Sequence, residues 1–554
     1  MKSNSLNIFL IVIIGGLLFI PFAGAVHLFD WDEINFAEAA REMIITGNYE
    51  SVTINYQVFT EKPPLFFWVQ VLSMKIFGIN EFASRFPNAV IGIISLLSLY
   101  FIGKQLKNEK FGLFWVLAYS CSFLPHLYFR SGIIDPLFNL FMFLSVFFAF
   151  KSLFNLSQNS DNNSSIKINL VLSGLFIGLA ILTKGPVGLL LPSLSIFIFC
   201  LINNNKVPLK LWMILLFATS ILLIPTIWYG IETMKNGNEF IREFIIRNIE
   251  LFKNQDAGHG GHFYYHWLVV LFGVFPASIF AIGSFKKYSS ENSETKLFKQ
   301  LMIILLLVVL IIFSIVNTKI IHYSSLSYYP LTFLAALFIY KISLKQNTKA
   351  SILQKTLIIT ITSFISILLI SFPIIARNSQ LIFPYLDDPF MKEALDANVN
   401  WKFSTFLPGI VFILLGIISI IWFLKEKTKF KSIMLLMATS LITLQLSIYI
   451  FVSKIEKLSQ NAMVEFCQSI QQKDCYVETL GFKSYAHYFY SNVKPQENPN
   501  YNNLDWLLNG DIDKTAFFIT KIQKAEEFKK IKDMKELYSK NGFVFLKREK
   551  TKER

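Results

Sequence analysis

Residues Leu301–Val316 read LMIILLLVVLIIFSIV, an apolar run without a single charge. Such a run approaches the roughly 20 residues that a bilayer-crossing helix needs. Lipid offers the backbone no hydrogen-bond partner, so only a helix satisfies it there. Leu209–Tyr229 and Ile352–Ile375 read the same way, with one lysine near the start of each. The whole chain follows them. Its composition is 53% hydrophobic, with 57 Phe and 16% charged residues, against roughly 25% charge for soluble domains. The fold class expected is a polytopic α-helical membrane protein.

Working outward, the apolar segments place about thirteen transmembrane helices. They begin near Ile8, Phe82, Phe111, Pro136, Ile168, Val187, Leu209, Trp267, Leu301, Leu326, Ile352, Phe406 and Ile433. The first is read as an uncleaved span, although Ala23-Gly24-Ala25 imitates a signal-peptidase site. The net charge of +15 does not point to nucleic acid, because the lysines lie in short connections rather than one stripe. They alternate. Lys104, Lys107 and Lys110, then Lys167, Lys206 and Lys210, Lys286 to Lys299, Lys341 to Lys355 and Lys425 to Lys431 share one set of loops. The other set is long, acidic or nearly lysine-free. Basic loops mark the cytoplasmic side, which puts the N-terminus inside and the tail outside. Leu65–Ile79 is too short to cross and is read as an interfacial helix started by Pro63 and Pro64.

Two domains follow: residues 1–452 in the membrane, with a first outer loop over 26–81, and a soluble tail over 453–554. In the tail, Cys475–Thr479, Ala516–Thr520 and Phe543–Leu546 have strand patterning, and Lys524–Tyr538 has helical periodicity. A small α/β domain is expected. Cys121 and Cys200 lie in apolar segments; Cys467 and Cys475 lie in the tail, where an outer location permits a disulfide.

With this sidedness the unusual polar residues all fall on one face, and ionisable groups at span ends on one face mark a functional site. The first outer loop holds Asp30, Asp32, Glu33, Glu38, Arg41, Glu42, Glu61 and Lys62. Asp30–Ile44 reads as a helix in which Asp30 caps and Glu33 closes a capping box, leaving its charged residues turned away from the packed side. Asp32 projects from the first turn, where a carboxylate suits a general base or an acceptor-steadying group. Lys62 precedes paired prolines, and a fixed ammonium suits a lipid-linked phosphate; snorkelling accounts for it equally. Asp135 before Pro136 is either a cap or a functional carboxylate. His259, His262 and His266 invite both a metal reading and an interfacial-anchor reading. Lys62, Arg247 and Lys319, with Tyr323 nearby, are suited to surround one phosphate.

These motifs resemble a known family. Asp32-Glu33 with Phe36-Ala37-Glu38 and Arg41-Glu42-Met43, Glu61-Lys62-Pro63-Pro64, Ile134-Asp135-Pro136, Leu182-Thr183-Lys184-Gly185, and Lys319 with His322-Tyr323 are similar to the lipid A-modifying aminoarabinose transferase branch of the protein O-mannosyltransferase-like family. The order of the motifs matches over most of the membrane portion. The resemblance implies a GT-C fold in a bacterial inner membrane, with the active site and the tail periplasmic. It implies an inverting transfer from a polyprenyl-phosphate sugar. Asp32 and Asp135 then correspond to the acidic catalytic positions and Lys62, with Arg247, Lys319 and Tyr323, to the donor-phosphate site. Glu33, Arg41, His259 and His262 become supporting residues. Glu61 and His259 match positions near which a divalent metal has been considered, and no cofactor is otherwise implied. Gly260-Gly261-His262 and Ile321 depart from the pattern, which leaves the acceptor open among lipid A, an envelope glycan and a protein hydroxyl. Two other classes use similar scaffolds: a ligase or polymerase taking pyrophosphate-linked glycans, and a transporter of a lipid-linked sugar. Transporters place charges near the midplane and often show repeats; here the charges gather at one face.

Overall fold

Nine helices among the described residues are long and apolar enough to cross a membrane. This is a multi-pass membrane protein. The computed structural model describes residues 2–158, 163–203, 210–253, 260–285, 292–344 and 350–551. Helix α1 (Lys2–Phe19) leads into a loop carrying α2 (Asp32–Thr46), a ribbon of β1 (Thr53–Ile54) with β2 (Gln57–Val58), and α3 (Leu65–Phe77). The bundle continues through α4 (Glu81–Leu106), α5 (Glu109–Ser120), α6 (Phe123–Tyr128), α7 (Asp135–Ser157), α8 (Asn163–Lys184), α9 (Val187–Ile202) and α10 (Leu211–Asn236). Then come the amphipathic α11 (Glu239–Lys253), α12 (Tyr265–Gly273), α13 (Ala277–Ile282), α14 (Ser293–Ile315), α15 (Tyr328–Ser343), α16 (Ile352–Arg377), α17 (Pro389–Leu395), α18 (Leu407–Leu424) and α19 (Lys429–Ser459).

The hydropathy reading places every one of the nine. It does not resolve thirteen equal spans. The segments near Phe111 and Trp267 are pairs of short helices, broken at Cys121–Ser122 and around Pro276; a proline has no amide to continue the turn. α16 and α18 leave Ile367, Leu368, Leu414 and Ile417 exposed, as a face in contact with lipid tails requires.

The tail begins later than residue 453, because α19 runs unbroken to Ser459. It comprises α20 (Asn461–Ser469), β3 (Cys475–Leu480), α21 (Ala486–Tyr490), α22 (Leu504–Asn509), β4 (Thr515–Lys521), α23 (Ile522–Lys529), β5 (Met534–Lys540) and β6 (Phe543–Arg548). The sheet order is β3-β4-β6-β5, with β3 and β4 parallel and the other pairs antiparallel. Alternation decides its two faces. Phe517, Ile519, Phe543 and Phe545 join the core shared with the bundle, while Ala516, Phe518, Val544 and Leu546 pack under α22 and α23. The expected helix over Lys524–Tyr538 is only half right. It stops at Lys529, and Met534–Lys540 is an edge strand turned back by Asn541-Gly542, both at positive φ, the pairing a tight hairpin demands. Cys467 and Cys475 are free thiols, not a disulfide.

Candidate active site

A cavity of about 830 Å³ opens between the first loop, one end of the bundle and the tail. Its wall starts at Asp32, the first residue of α2. The expected capping box is absent: Trp31 occupies the N-cap without a side-chain bond. Glu33 has a stronger attachment. It accepts from the Phe29 and Gly132 amides and pairs with Arg85 at 2.8 Å. Burial pushes the Glu33 carboxyl up, but the Arg85 guanidinium and the two amides outweigh it and hold the group below the usual carboxylate range. The charged residues of α2 are not turned to solvent either. Glu38, Arg41 and Glu42 are buried; Arg41 forks onto Glu38 and donates to Asn492 Oδ1 and the Val493 carbonyl. Arg41 ties the first loop to the tail and does not line the cavity.

The Asp32 carboxylate is partly exposed, with Oδ2 3.7 Å from His322 Nε2. The same nitrogen is 4.0 Å from Asp135 Oδ2. Asp135 itself is buried, accepts from Lys184 Nζ at 2.6 Å, and stands behind the cavity wall. It caps no helix; it is the first residue of α7, it holds Lys184, and its other oxygen faces His322 at 4.0 Å. Lys184 ends α8 beside Gly185, whose φ is +99° and whose missing side chain admits Phe244 of α11. A Cβ there would come 2.4 Å from that ring. Phe244 packs with Phe240, Trp228 and Leu182, and three residues on, the same helix face presents Arg247 to the cavity.

Arg247 lies 3.6 Å from Glu61, and the neighbouring Lys62 ammonium donates to the Glu61 carbonyl at 3.2 Å. Burial lowers the Lys62 pKa from its ordinary value, with Glu61 opposing. Pro64 is the N-cap of α3, so the prolines fix the chain where Lys62 enters the wall. Tyr323 completes this side, its ring 5.6 Å from the Lys184 ammonium.

The remaining expected residues fall differently. Lys319 is turned away, donating to the carbonyls of Phe313, Ser314 and Val316 at the end of α14; it caps a helix and does not reach the cavity. Lys319→Met is therefore expected to lower thermal stability while leaving lipid-phosphate affinity within about twofold, as a scan with and without carrier would show. His262 stacks on Tyr264 outside the cavity, and His259 lies outside the described residues. Glu61 faces a guanidinium, and among the described residues no three His, Cys, Asp or Glu side chains gather as metal ligands. Three charged residues outside the quoted motifs, with no assigned role in the sequence reading, also line the cavity: Arg85, Arg130 and, from the tail, Lys483. A charge at the head of an apolar span marked Arg85; nothing local marked Lys483. Lys184 and His322 were visible only as motif members.

Known proteins are similar to this chain in sequence and in fold. The family model described as dolichyl-phosphate-mannose-protein mannosyltransferase matches residues 61–229. An undecaprenyl phosphate-alpha-4-amino-4-deoxy-L-arabinose arabinosyl transferase of Wigglesworthia glossinidia brevipalpis is 28% identical over 325 residues, 57% of this chain and 56% of that one. A second transferase of that name, from Proteus mirabilis, is 26% identical over 44% and 43% of the two chains. The aligned stretches thus span about half the length of these relatives. The crystal structure of ArnT from Cupriavidus metallidurans bound to undecaprenyl phosphate superposes with a TM-score of 0.76, covering 97% of both chains at 17% identity. The chain therefore has the GT-C fold of that ArnT structure and, over part of its length, is similar in sequence to aminoarabinose transferases and to the protein mannosyltransferase model.

Proposed function

We propose that the protein is an inverting glycosyltransferase of the bacterial inner membrane, moving a sugar from a polyprenyl-phosphate donor to an acceptor at the periplasmic face. The observation that carries this is one partly open carboxylate, Asp32, sharing a cavity with the Lys62 and Arg247 cations. In the reaction an acceptor oxygen attacks the anomeric carbon as the bond from that carbon to the phosphate oxygen breaks. The acceptor's proton passes to Asp32, and the departing polyprenyl phosphate keeps the electron pair. Lys62 and Arg247 are preset where that charge develops. Asp135 is a positioning residue acting through Lys184 and His322. The relatives' names and the undecaprenyl phosphate of the ArnT structure support this donor class. Lipid A is the acceptor class we favour among the three, on the aminoarabinose relatives.

Lys62→Ala is expected to weaken binding of undecaprenyl phosphate by roughly 10–100-fold, the size of a lost hydrogen bond to a charged group. Equilibrium binding to purified protein measures it, and unchanged affinity removes Lys62 from the phosphate site. The pH dependence has a definite sign. The ammonium form binds phosphate, and its pKa is lowered, so affinity falls as pH rises, beginning below the ordinary lysine value of about 10.4. Lys62→Arg keeps its proton and flattens that limb. Comparing monophosphate with pyrophosphate donors in the same assay separates this reading from a glycan ligase.

A further inference from the structure

The backbone that delivers Asp32 is held largely from outside the first loop. His27 Nδ1 lies 2.8 Å from Glu456 Oε1, the Leu28 amide donates to the Tyr490 hydroxyl at 2.6 Å, and the Asp30 amide donates to Gln460 Oε1 at 3.2 Å. The grip tightens at Trp31. The Lys483 ammonium stands 4.8 Å from its ring centre, and the Tyr485 ring meets it edge-on at 5.1 Å. Between these two, Ser484 and the Tyr485 backbone lie against the Asp30 carboxyl. All these partners belong to the end of α19 or to the tail. Gly481, at φ +76°, lets the chain turn out of β3 toward the site, and a side chain there would run into Lys524.

Lys483 also lines the cavity, with ring contacts and no carboxylate partner among the described residues. The donor phosphate already has Lys62 and Arg247 in the same cavity. Lys483 is the residue that the tail adds to this lining, which leaves it for the substrate that receives the sugar.

We propose that Lys483–Tyr485 is a positioning unit of the active site: the tail segment fixes Trp31 and hence Asp32, and Lys483 offers the acceptor a cation the bundle does not supply. This rests on the transfer reading above. The test uses the full-length protein purified in detergent, as wild type, Lys483→Gln, Lys483→Arg and Tyr485→Ala. Backbone hydrogen exchange over residues 28–34, equilibrium binding of undecaprenyl phosphate, and steady-state transfer are measured on each. Tyr485→Ala is expected to speed exchange over 28–34 by about tenfold or more while leaving carrier affinity within about twofold. Lys483→Gln is expected to lower kcat by about tenfold and raise KM for the acceptor, again without loss of carrier affinity, and Lys483→Arg to recover most of the rate. A merely structural lysine would not produce that split or that rescue. Unchanged exchange in Tyr485→Ala overturns the positioning unit. Lys483→Gln turnover near wild type, an Arg variant as weak as the Gln variant, or lost carrier affinity in Lys483→Gln overturns the acceptor-side assignment. Wild type that binds carrier but transfers nothing contradicts the transfer reading instead, and the exchange result then decides the positioning unit alone.

Discussion

Asp32→Asn is expected to lower transfer by roughly 10²–10⁴-fold, the range for loss of a positioned general base, with folding, membrane insertion and carrier binding retained. The substitution is nearly isosteric, and the structure shows why it spares the fold. Asp32 starts α2, its side chain is 29% exposed, and its Oδ2 is 3.7 Å from the His322 ring nitrogen, too far for a hydrogen bond. The bonds that anchor the helix start belong to Glu33. Steady-state transfer by purified enzyme, alongside undecaprenyl-phosphate binding, checks both halves; near-normal turnover removes Asp32 from its role. Asp135→Asn differs in kind. It loosens Lys184 from a 2.6 Å ion pair inside the protein, so rate and stability are expected to fall together.

The largest effect on stability is expected from Arg85→Met. Arg85 and Glu33 pair with side chains only 4% and 7% exposed, and Arg85 also donates to the carbonyls of Ala23, Val26 and His27. Removing the guanidinium strands a buried carboxylate, which costs about 3–5 kcal/mol. The sign with pH follows. In the wild type the lowered Glu33 pKa contributes stability that is complete above the ordinary carboxylate pKa and is lost as pH falls through the lowered value. In the variant burial is opposed only by the Phe29 and Gly132 amides, Glu33 takes up a proton more readily, and the deficit shrinks as pH is lowered. Thermal unfolding at neutral and acidic pH reads this directly; equal deficits at both would show that Glu33 stays charged without its partner.

Much of this architecture is legible from composition because lipid leaves the backbone one choice. Runs such as Leu301–Val316 and Ile352–Ile375 announced their helices. Interrupted spans were harder, since hydropathy averages across a break like that at Pro276. Helical periodicity over Lys524–Tyr538 holds only to Lys529, because the Asn541-Gly542 turn pairs Met534–Lys540 with the next strand. At the site, Asp32, Lys62 and Arg247 stood out as charges beside apolar spans, and the fold brings them to one cavity. Lys319 stood out equally and is a helix cap. Sequence shows where an ammonium can be, not which carbonyls it finds. Lys483 was invisible for the opposite reason: only the tertiary turn at Gly481 carries it to Trp31.

The central claim is that one cavity holds the carrier phosphate beside the carboxylate that activates the acceptor. A structure of the purified protein with bound undecaprenyl phosphate tests it most directly. The account predicts the phosphate within hydrogen-bonding distance of Lys62 and Arg247, with the Asp32 carboxylate open to the same cavity. A phosphate seated instead near Lys319, or at mid-bundle away from Asp32, contradicts it.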